Sequence, residues 1–180
     1  MESPSDEMLV SRCLEGDTRA FGVLVERYQR VMYNVALRVV KRREDAEDAV
    51  QSAFVKAYSH LDRFNPKFRF YSWLYRIAVN EALNASRSGR TSTSLPDSLP
   101  AADGLPDLDL QRSEATKQIE DGLMELSPED RAIILLKHFE GFSYDDIAYI
   151  FDISSAKVKS RLFTARQRLK NVLVSGGYSS

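Results

Sequence analysis

Apolar residues in this chain recur at intervals of three and four rather than two, which is the repeat of a helix with one buried face and not of a strand. That pattern is interrupted between residues 86 and 106, where Ser, Thr, Gly, Pro and Asp dominate and Pro96, Pro100 and Pro106 fall together. Such a stretch reads as an extended linker. The two constraints together predict an all-α chain of two small helical domains, 1–90 and 112–180, joined by a flexible acidic linker at 91–111. A total of 180 residues is enough for two small hydrophobic cores.

Local signals mark the helices. Asp17 is a good N-cap for a helix whose inward stripe is Phe21, Leu24, Tyr28, Met32 (or Val31), Val35 and Val39. Lys41, Arg42 and Arg43 complement the dipole at its end, and Glu44, Asp45, Glu47 and Asp48 open the next helix. The second stripe is Ala46, Val50, Ala53, Phe54, Ala57 and Leu61, and Asn65-Pro66 breaks it. A third helix is expected over about 70–87. Beyond the linker, a helix at about 111–126 presents Ile119, Leu123 and Leu126. Ser127-Pro128 then pairs an N-cap with a proline at the first helical position. The helix that follows is expected to bury Ile133, Leu136 and Phe139 before Gly141 stops it, and Ser143 caps the next.

Two features carry functional information. Half of the twelve residues 64–75 are aromatic (Phe64, Phe68, Phe70, Tyr71, Trp73, Tyr75), with Lys67 and Arg69 among them and Arg76 directly after. Cations neutralise phosphates and flat rings stack on unpaired bases, so the window suits a single strand. Phe70, Trp73, Leu74 and Ile77 also fall at helical spacing, so several of these rings belong to a core. The second feature is a short helix at 144–151, a tight connection at Asp152-Ile153-Ser154 and a longer helix at 155–173. This is the spacing of a helix-turn-helix. Ile147, Ala148, Phe151 and Ile153 are expected to form its inner corner, and Val158, Leu162, Ala165 and Leu169 to pack inward. Residues 154–170 carry Lys157, Lys159, Arg161, Arg166, Arg168 and Lys170 with no acid, whereas 91–111 carries Asp97, Asp103, Asp107 and Asp109 with no base. A merely solvated helix mixes signs. One-signed charge on the second helix of such a motif fits major-groove DNA.

Other classes find less support. With Cys13 alone, no intramolecular disulfide forms, and His60 and His138 lack metal-ligand spacing, so neither metal nor cofactor is expected. No apolar run reaches the length of a membrane span, and the acidic N-terminus does not resemble a signal peptide, so a cytoplasmic protein without membrane insertion is expected. Asp45, Glu47 and Asp48 stand at a helix start where acids are ordinary, with no base, nucleophile or metal partner near, which argues against an enzyme. A free-standing regulator would bind DNA tightly by itself, as a dimer on a two-fold site. No ligand-pocket signature or heptad seam supports one.

Four ordered segments carry a family resemblance. AEDAVQSAFVKAYSHLDRF at 46–64 resembles the polymerase-binding segment of bacterial sigma factors, and FYSWLYRIAVN at 70–80 the segment that follows it. LSPEDRA at 126–132 and GFSYDDIA at 141–148 resemble the approach to the C-terminal helix-turn-helix, and VKSRLFTARQRL at 158–169 its recognition helix. In extent and order the chain is similar to the small extracytoplasmic-function (ECF) type of the sigma-70 family, associated with stress response. The resemblance implies a promoter-specificity subunit of bacterial RNA polymerase that joins the nucleoid as part of the holoenzyme. It implies contacts with the beta-prime clamp helices and the beta subunit through Asp45, Asp48, Gln51, Phe54, Val55, Tyr58 and Ser59. It implies minus-10 contacts from Asn65, Lys67, Phe68 and Arg69, and from Tyr71, Ser72, Trp73, Arg76, Asn80, Asn84 and Arg87. Minus-35 contacts are implied for Ser155, Ala156, Lys157, Lys159, Ser160, Arg161, Phe163, Thr164, Arg166 and Arg168. It also implies a linker running toward the active-site channel, and an anti-sigma factor as regulator. Many relatives carry Gly-Thr where Ser155-Ala156 stands and Arg where Thr164 stands, so the promoter boxes of this chain are its own.

Overall fold

The computed structural model describes residues 4–88 and 114–175, and among these every regular element is helical. The chain divides into two compact units, Met1–Leu95 and Pro96–Ser180. The linker expected at 91–111 lies outside the described residues, as do Met1, Glu2 and Ser3.

The first unit holds α1 (Asp6–Leu14), α2 (Thr18–Val40), α3 (Arg43–Ser59), a 3-10 turn (Leu61–Arg63) and α4 (Phe70–Ser88). Asp17 caps α2 as expected, accepting from the Arg19 amide at 3.1 Å. Lys41, in the left-handed region at φ 71°, ends it. The short link to Arg43 turns α3 back along α2, and both pack against α4. The core is the α2 row Phe21, Leu24, Met32, Val35 and Val39 against Ala46, Val50, Ala53 and Ala57 of α3, and Phe70, Leu74 and Ala78 of α4. Small side chains along α3 let the helices approach closely. Tyr28 is only half-buried.

Helix α1 has no counterpart in the sequence expectations. It is short, and buries only Leu9 and Val10. Polar contacts fasten it, with Arg27 and the Tyr28 hydroxyl both donating to the Asp6 carboxylate and Arg27 Nη2 donating to the Pro4 carbonyl at 2.8 Å.

The second unit holds α5 (Glu114–Met124), α6 (Pro128–His138), α7 (Tyr144–Phe151) and α8 (Ser155–Ser175). Ser127 and Ser143 cap α6 and α7 as expected. Ser143 and Asp146 exchange side-chain-to-backbone bonds in a capping box. Ile133, Leu135, Leu136, Ile147, Val158 and Leu162 form the core. Three expectations are corrected here. Ile119 is exposed, and Leu123 takes the inward position on α5. Phe139 is 51% exposed because α6 ends at His138; Gly141, at φ 70°, turns the chain so that Phe142 enters the core instead. In the corner of α7 the deepest residues are Ile147 and Ile150, one turn apart, while Ala148, Phe151 and Ile153 are half-buried.

Candidate nucleic-acid and partner interfaces

The α7–α8 pair is a helix-turn-helix in geometry as well as spacing. Asp152 takes the left-handed conformation at φ 54°, and the Ile153 amide donates to the Ala148 carbonyl at 3.0 Å, closing the turn. Ser154 caps α8 by accepting from the Lys157 amide at 3.2 Å. Val158, Leu162 and Ala165 are buried, so the α8 backbone is fixed against α6 and α7. Ala156, Lys157, Lys159, Ser160, Phe163 and Thr164 are exposed on the other side, Phe163 at 64%. Ser155 is half-buried and donates its hydroxyl to Asp145.

The arginines of α8 are engaged by α6. Arg161 Nη2 donates to Asp130 Oδ1 and Arg168 Nη1 to Asp130 Oδ2, both at 3.0 Å. The Asp130 side chain is only 10% exposed. Arg166 donates to His138 Nε2 from Nε at 3.1 Å. Burial, then the nearby Arg166 and Lys137, hold the His138 pKa below its usual value. Lys159 and Lys137 both lie over the Tyr144 ring, at 5.4 and 4.6 Å from its centroid. Asp130 and His138 are additions to the residues expected from sequence. Each bond crosses between helices, so no local pattern announces it.

Helix α8 is also held from behind. Arg131 is 2% exposed, and its guanidinium donates to the carbonyls of Leu123 (2.8 Å), Met124 (3.0 Å) and Leu126 (2.9 Å). These carbonyls belong to the last turn of α5 and the residues after it, where helix geometry leaves acceptors short of partners, although the Leu123 carbonyl also accepts from the Leu126 amide at 3.2 Å. Burial pushes the Arg131 pKa down to about 10, which still leaves it charged near neutrality. Gly122 lets α5 approach α8, since a Cβ there would lie 2.9 Å from Leu169 Cδ1.

The aromatic window of the first unit divides into an inside and an outside. Phe64, Phe70 and Trp73 form a triangle with centroids 5.5–5.8 Å apart. Tyr28 bridges to Phe70 and, at 5.4 Å, to Tyr71, which meets Tyr75 at 4.6 Å. Phe70, Tyr75, Ser72 (2%) and Trp73 (9%) are buried. Ser72 and Trp73 were expected at the DNA face; both are buried on the inner side of α4, Trp73 within the ring cluster. The outer part is the loop at 65–69, held by Asn65, whose side chain accepts from the Lys67 amide and whose carbonyl accepts from the Phe68 amide, both at 3.0 Å. Lys67, Phe68 (42%) and Arg69 are exposed beside it. Asn80, Asn84 and Arg87 follow along one exposed face of α4, with Arg76 half-buried and Tyr71 at its start.

Between α2 and α3 lies a mostly apolar groove of about 680 Å³, lined among others by Tyr33, Val50, Gln51, Phe54 and Val55. Of the residues expected to meet the polymerase, Gln51, Phe54 and Val55 line it. Val55 (59%) and Tyr58 (44%) are exposed apolar groups, and Asp48 and Ser59 are exposed polar ones. Phe54 is 8% exposed, its ring edge-on to Phe21, so it forms the floor and not a protruding contact. Asp45 is half-buried with its carboxylate 3.8 Å from Arg42. The α2 wall (Val25, Gln29, Arg30, Tyr33) was not expected from sequence. Its outward series at every fourth residue is the signal that would have found it.

Among the described residues no group of three or more His, Cys, Asp or Glu is placed to hold a metal, and no helix is long and apolar enough to cross a membrane.

Comparison with known proteins agrees with this geometry. Residues 24–91 match the Sigma-70 region 2 family and residues 116–169 the Sigma-70, region 4 family. The ECF RNA polymerase sigma-E factor of Escherichia coli (strain K12) is 39% identical over 182 residues, covering 94% of this chain and 95% of that protein. The protein of the same name from Haemophilus influenzae is 35% identical over 94% of this chain and 96% of its own length. Among solved structures, CnrH in complex with the cytosolic domain of CnrY superposes with a TM-score of 0.72 at 26% identity, over 96% of this chain and 99% of that one. The sigma factor RpoE of Bartonella quintana, solved with the anti-sigma factor NepR, gives 0.68 at 27% identity, over 87% and 98%.

Proposed function

Because this chain belongs to the ECF sigma factors of the sigma-70 family, subunits that direct promoter recognition by RNA polymerase, we propose that its two units divide that task between them. Residues 112–180 read the minus-35 element. Residues 1–90 bind core enzyme and the minus-10 element, and the acidic segment 91–111 runs toward the polymerase channel. In this reading α8 enters the major groove with Lys157, Lys159, Ser160, Phe163 and Thr164 foremost. The loop at 65–69 and the Asn80–Asn84–Arg87 face hold opened minus-10 strand, with Phe68 and Tyr71 as the rings available for stacking. The α2–α3 groove and its rim, Asp48, Gln51, Val55, Tyr58 and Ser59, dock on the beta-prime clamp helices. Nucleotide addition belongs to the polymerase, so no residue here is catalytic. The protein acts in the cytoplasm, where core enzyme and promoter DNA are.

The observation that carries this reading is the exposed face of α8, a polar and cationic surface set on a rigid buried stripe in a closed helix-turn-helix. CnrH and the Bartonella sigma factor were each solved with a partner protein, in the second case a named anti-sigma factor. A comparable anti-sigma partner for this chain is part of the proposal. Run-off transcription with purified core RNA polymerase and a pool of promoter fragments from the source genome tests it. Transcripts that start at defined sites only when the protein is added are expected. Their absence, together with tight binding to DNA without core enzyme, would replace this reading with a stand-alone regulator.

A further inference from the structure

Asp130 stands outside the recognition helix but makes two cross-helix contacts to it. Its two oxygens are taken by different arginines, Arg161 through Oδ1 and Arg168 through Oδ2, each at 3.0 Å. These arginines are two turns apart on one flank of α8. The carboxylate is nearly enclosed at 10% exposure, whereas the Arg161 and Arg168 side chains remain 29% and 60% exposed. It lies in the first turn of α6, where the helix dipole favours an anion, and its own amide donates to Ser127 Oγ at 3.2 Å. The cap thus fixes the Asp130 backbone, and the two arginines hold its carboxylate.

We propose that Asp130 is a positioning residue for promoter recognition, holding Arg161 and Arg168 in one orientation at the edge of the DNA-facing surface. The inference rests on the reading above that α8 faces the minus-35 element. A guanidinium carries five donors in a rigid fork, so committing one edge to Asp130 leaves the others aimed in a fixed direction. Donors already oriented lose less conformational freedom when they meet a base edge or a phosphate in the right register. In a wrong register the same two arginines cannot swing to the nearest phosphates without leaving Asp130, and the enclosed carboxylate repels phosphates that approach it. Asp130 therefore lowers sequence-independent attraction while keeping the specific contacts, which raises the ratio between them.

The test uses holoenzyme reconstituted from core polymerase and the full chain. The probes are duplexes bearing a minus-35 box recovered by run-off transcription, and the same duplexes with that box scrambled. Asp130→Asn keeps size and removes charge. Affinity for the scrambled duplex should rise, its log–log salt slope should steepen by about 0.9–1.8 as one or two arginines reach phosphates, and discrimination should fall about tenfold. Asp130→Glu should restore discrimination to within about threefold of wild type, a rescue that a purely structural role would not require. Arg161→Lys, which keeps charge but lacks the fork, should lose discrimination to a similar extent, and its combination with Asp130→Asn should be no worse than either alone. That cycle decides the matter even if Asp130→Asn melts early. Additive losses, or unchanged discrimination and slope in Asp130→Asn, overturn the inference. Lys159→Ala serves as the control on the underlying reading. If it leaves both duplexes unaffected, α8 is not the DNA face and the function proposed above fails with the inference. If it weakens binding while Asp130→Asn changes nothing, the inference alone fails.

Discussion

Replacing Arg131 by Met tests whether a single buried guanidinium holds α5 in place behind the recognition helix. Its three bonds to the carbonyls of Leu123, Met124 and Leu126 are 2.8–3.0 Å long. Bonds from a charged donor contribute about 1.5–3 kcal/mol each in favourable cases, but this donor has been taken out of water. The depression of its pKa to about 10 records that cost. A figure below that range is therefore appropriate, about 1 kcal/mol for each as in an ordinary hydrogen bond, giving about 3 kcal/mol for Arg131→Met. Met fills much of the volume, so the loss is of polar satisfaction and not of a cavity. For a unit of this size about 3 kcal/mol corresponds to about 12–24 °C in Tm. Lysine retains charge but offers one ammonium for three spread acceptors, so Arg131→Lys should recover only part of that.

The chain supplies its own assay. Trp73, its one tryptophan, lies in α4 of the first unit, so tryptophan fluorescence follows that unit alone while far-UV ellipticity follows both. In a thermal scan of Arg131→Met, the ellipticity component of the second unit should move down by the stated amount while the Trp73 transition stays where it is. A fall of less than about 4 °C would mean that the three bonds contribute under 1 kcal/mol together, which would refute the reasoning. Equal shifts in both signals would refute the assumption that the units unfold separately.

Two further outcomes follow from the second unit. The pKa of His138 is depressed in the folded state, so the stability linked to it is present above its ordinary value of 6.5 and is lost as pH falls toward the folded value. The ellipticity Tm of the second unit should therefore drop on acidification through that range, and His138→Gln should flatten the dependence. At Gly122 an added Cβ would meet only the flexible tips of Leu169 (2.9 Å) and Leu173 (3.2 Å), and alanine regains about 1 kcal/mol of helix propensity. Gly122→Ala should thus melt within about 1 kcal/mol of wild type, whereas Gly122→Val, too wide for the α5–α8 contact, should lose about 1–3 kcal/mol.

What the sequence makes legible is what is local. Asp17, Ser127 and Ser143 announce the starts of α2, α6 and α7 because a cap acts within three residues of itself. The stripes of α2 and α3 are legible for the same reason, since helical period alone selects their buried faces. Helix α1 is not, because its anchor is tertiary: Asp6 meets Arg27 and Tyr28 more than twenty positions later. The aromatic window is legible as a cluster but not in its division. Whether Trp73 or Phe68 faces outward depends on how the loop at 65–69 feeds the chain into α4. That is set by the amides of Lys67 and Phe68 donating to Asn65 and by the ring of Tyr28 against Tyr71.

The charge run of α8 is the sharpest case, because the sequence shows its sign and hides its distribution. Six cations without an acid suggest six phosphate partners, and counting them all would give a salt slope of about −5 for the second unit on duplex DNA. The structure returns three of the six to α6: Arg161 and Arg168 to Asp130, which lie 31 and 38 positions away from it, and Arg166 to His138 at 28 positions. With those arginines held on α6 and away from the phosphates of a non-cognate duplex, Lys157, Lys159 and Lys170 would give about −2.7 there. If α8 meets DNA as proposed, its electrostatic reach is set in part from α6, through groups that no inspection of α8 reveals. On the proposed reading, a change at Asp130 or His138 should alter DNA attraction through the α8 arginines each one holds, with no substitution in α8 itself.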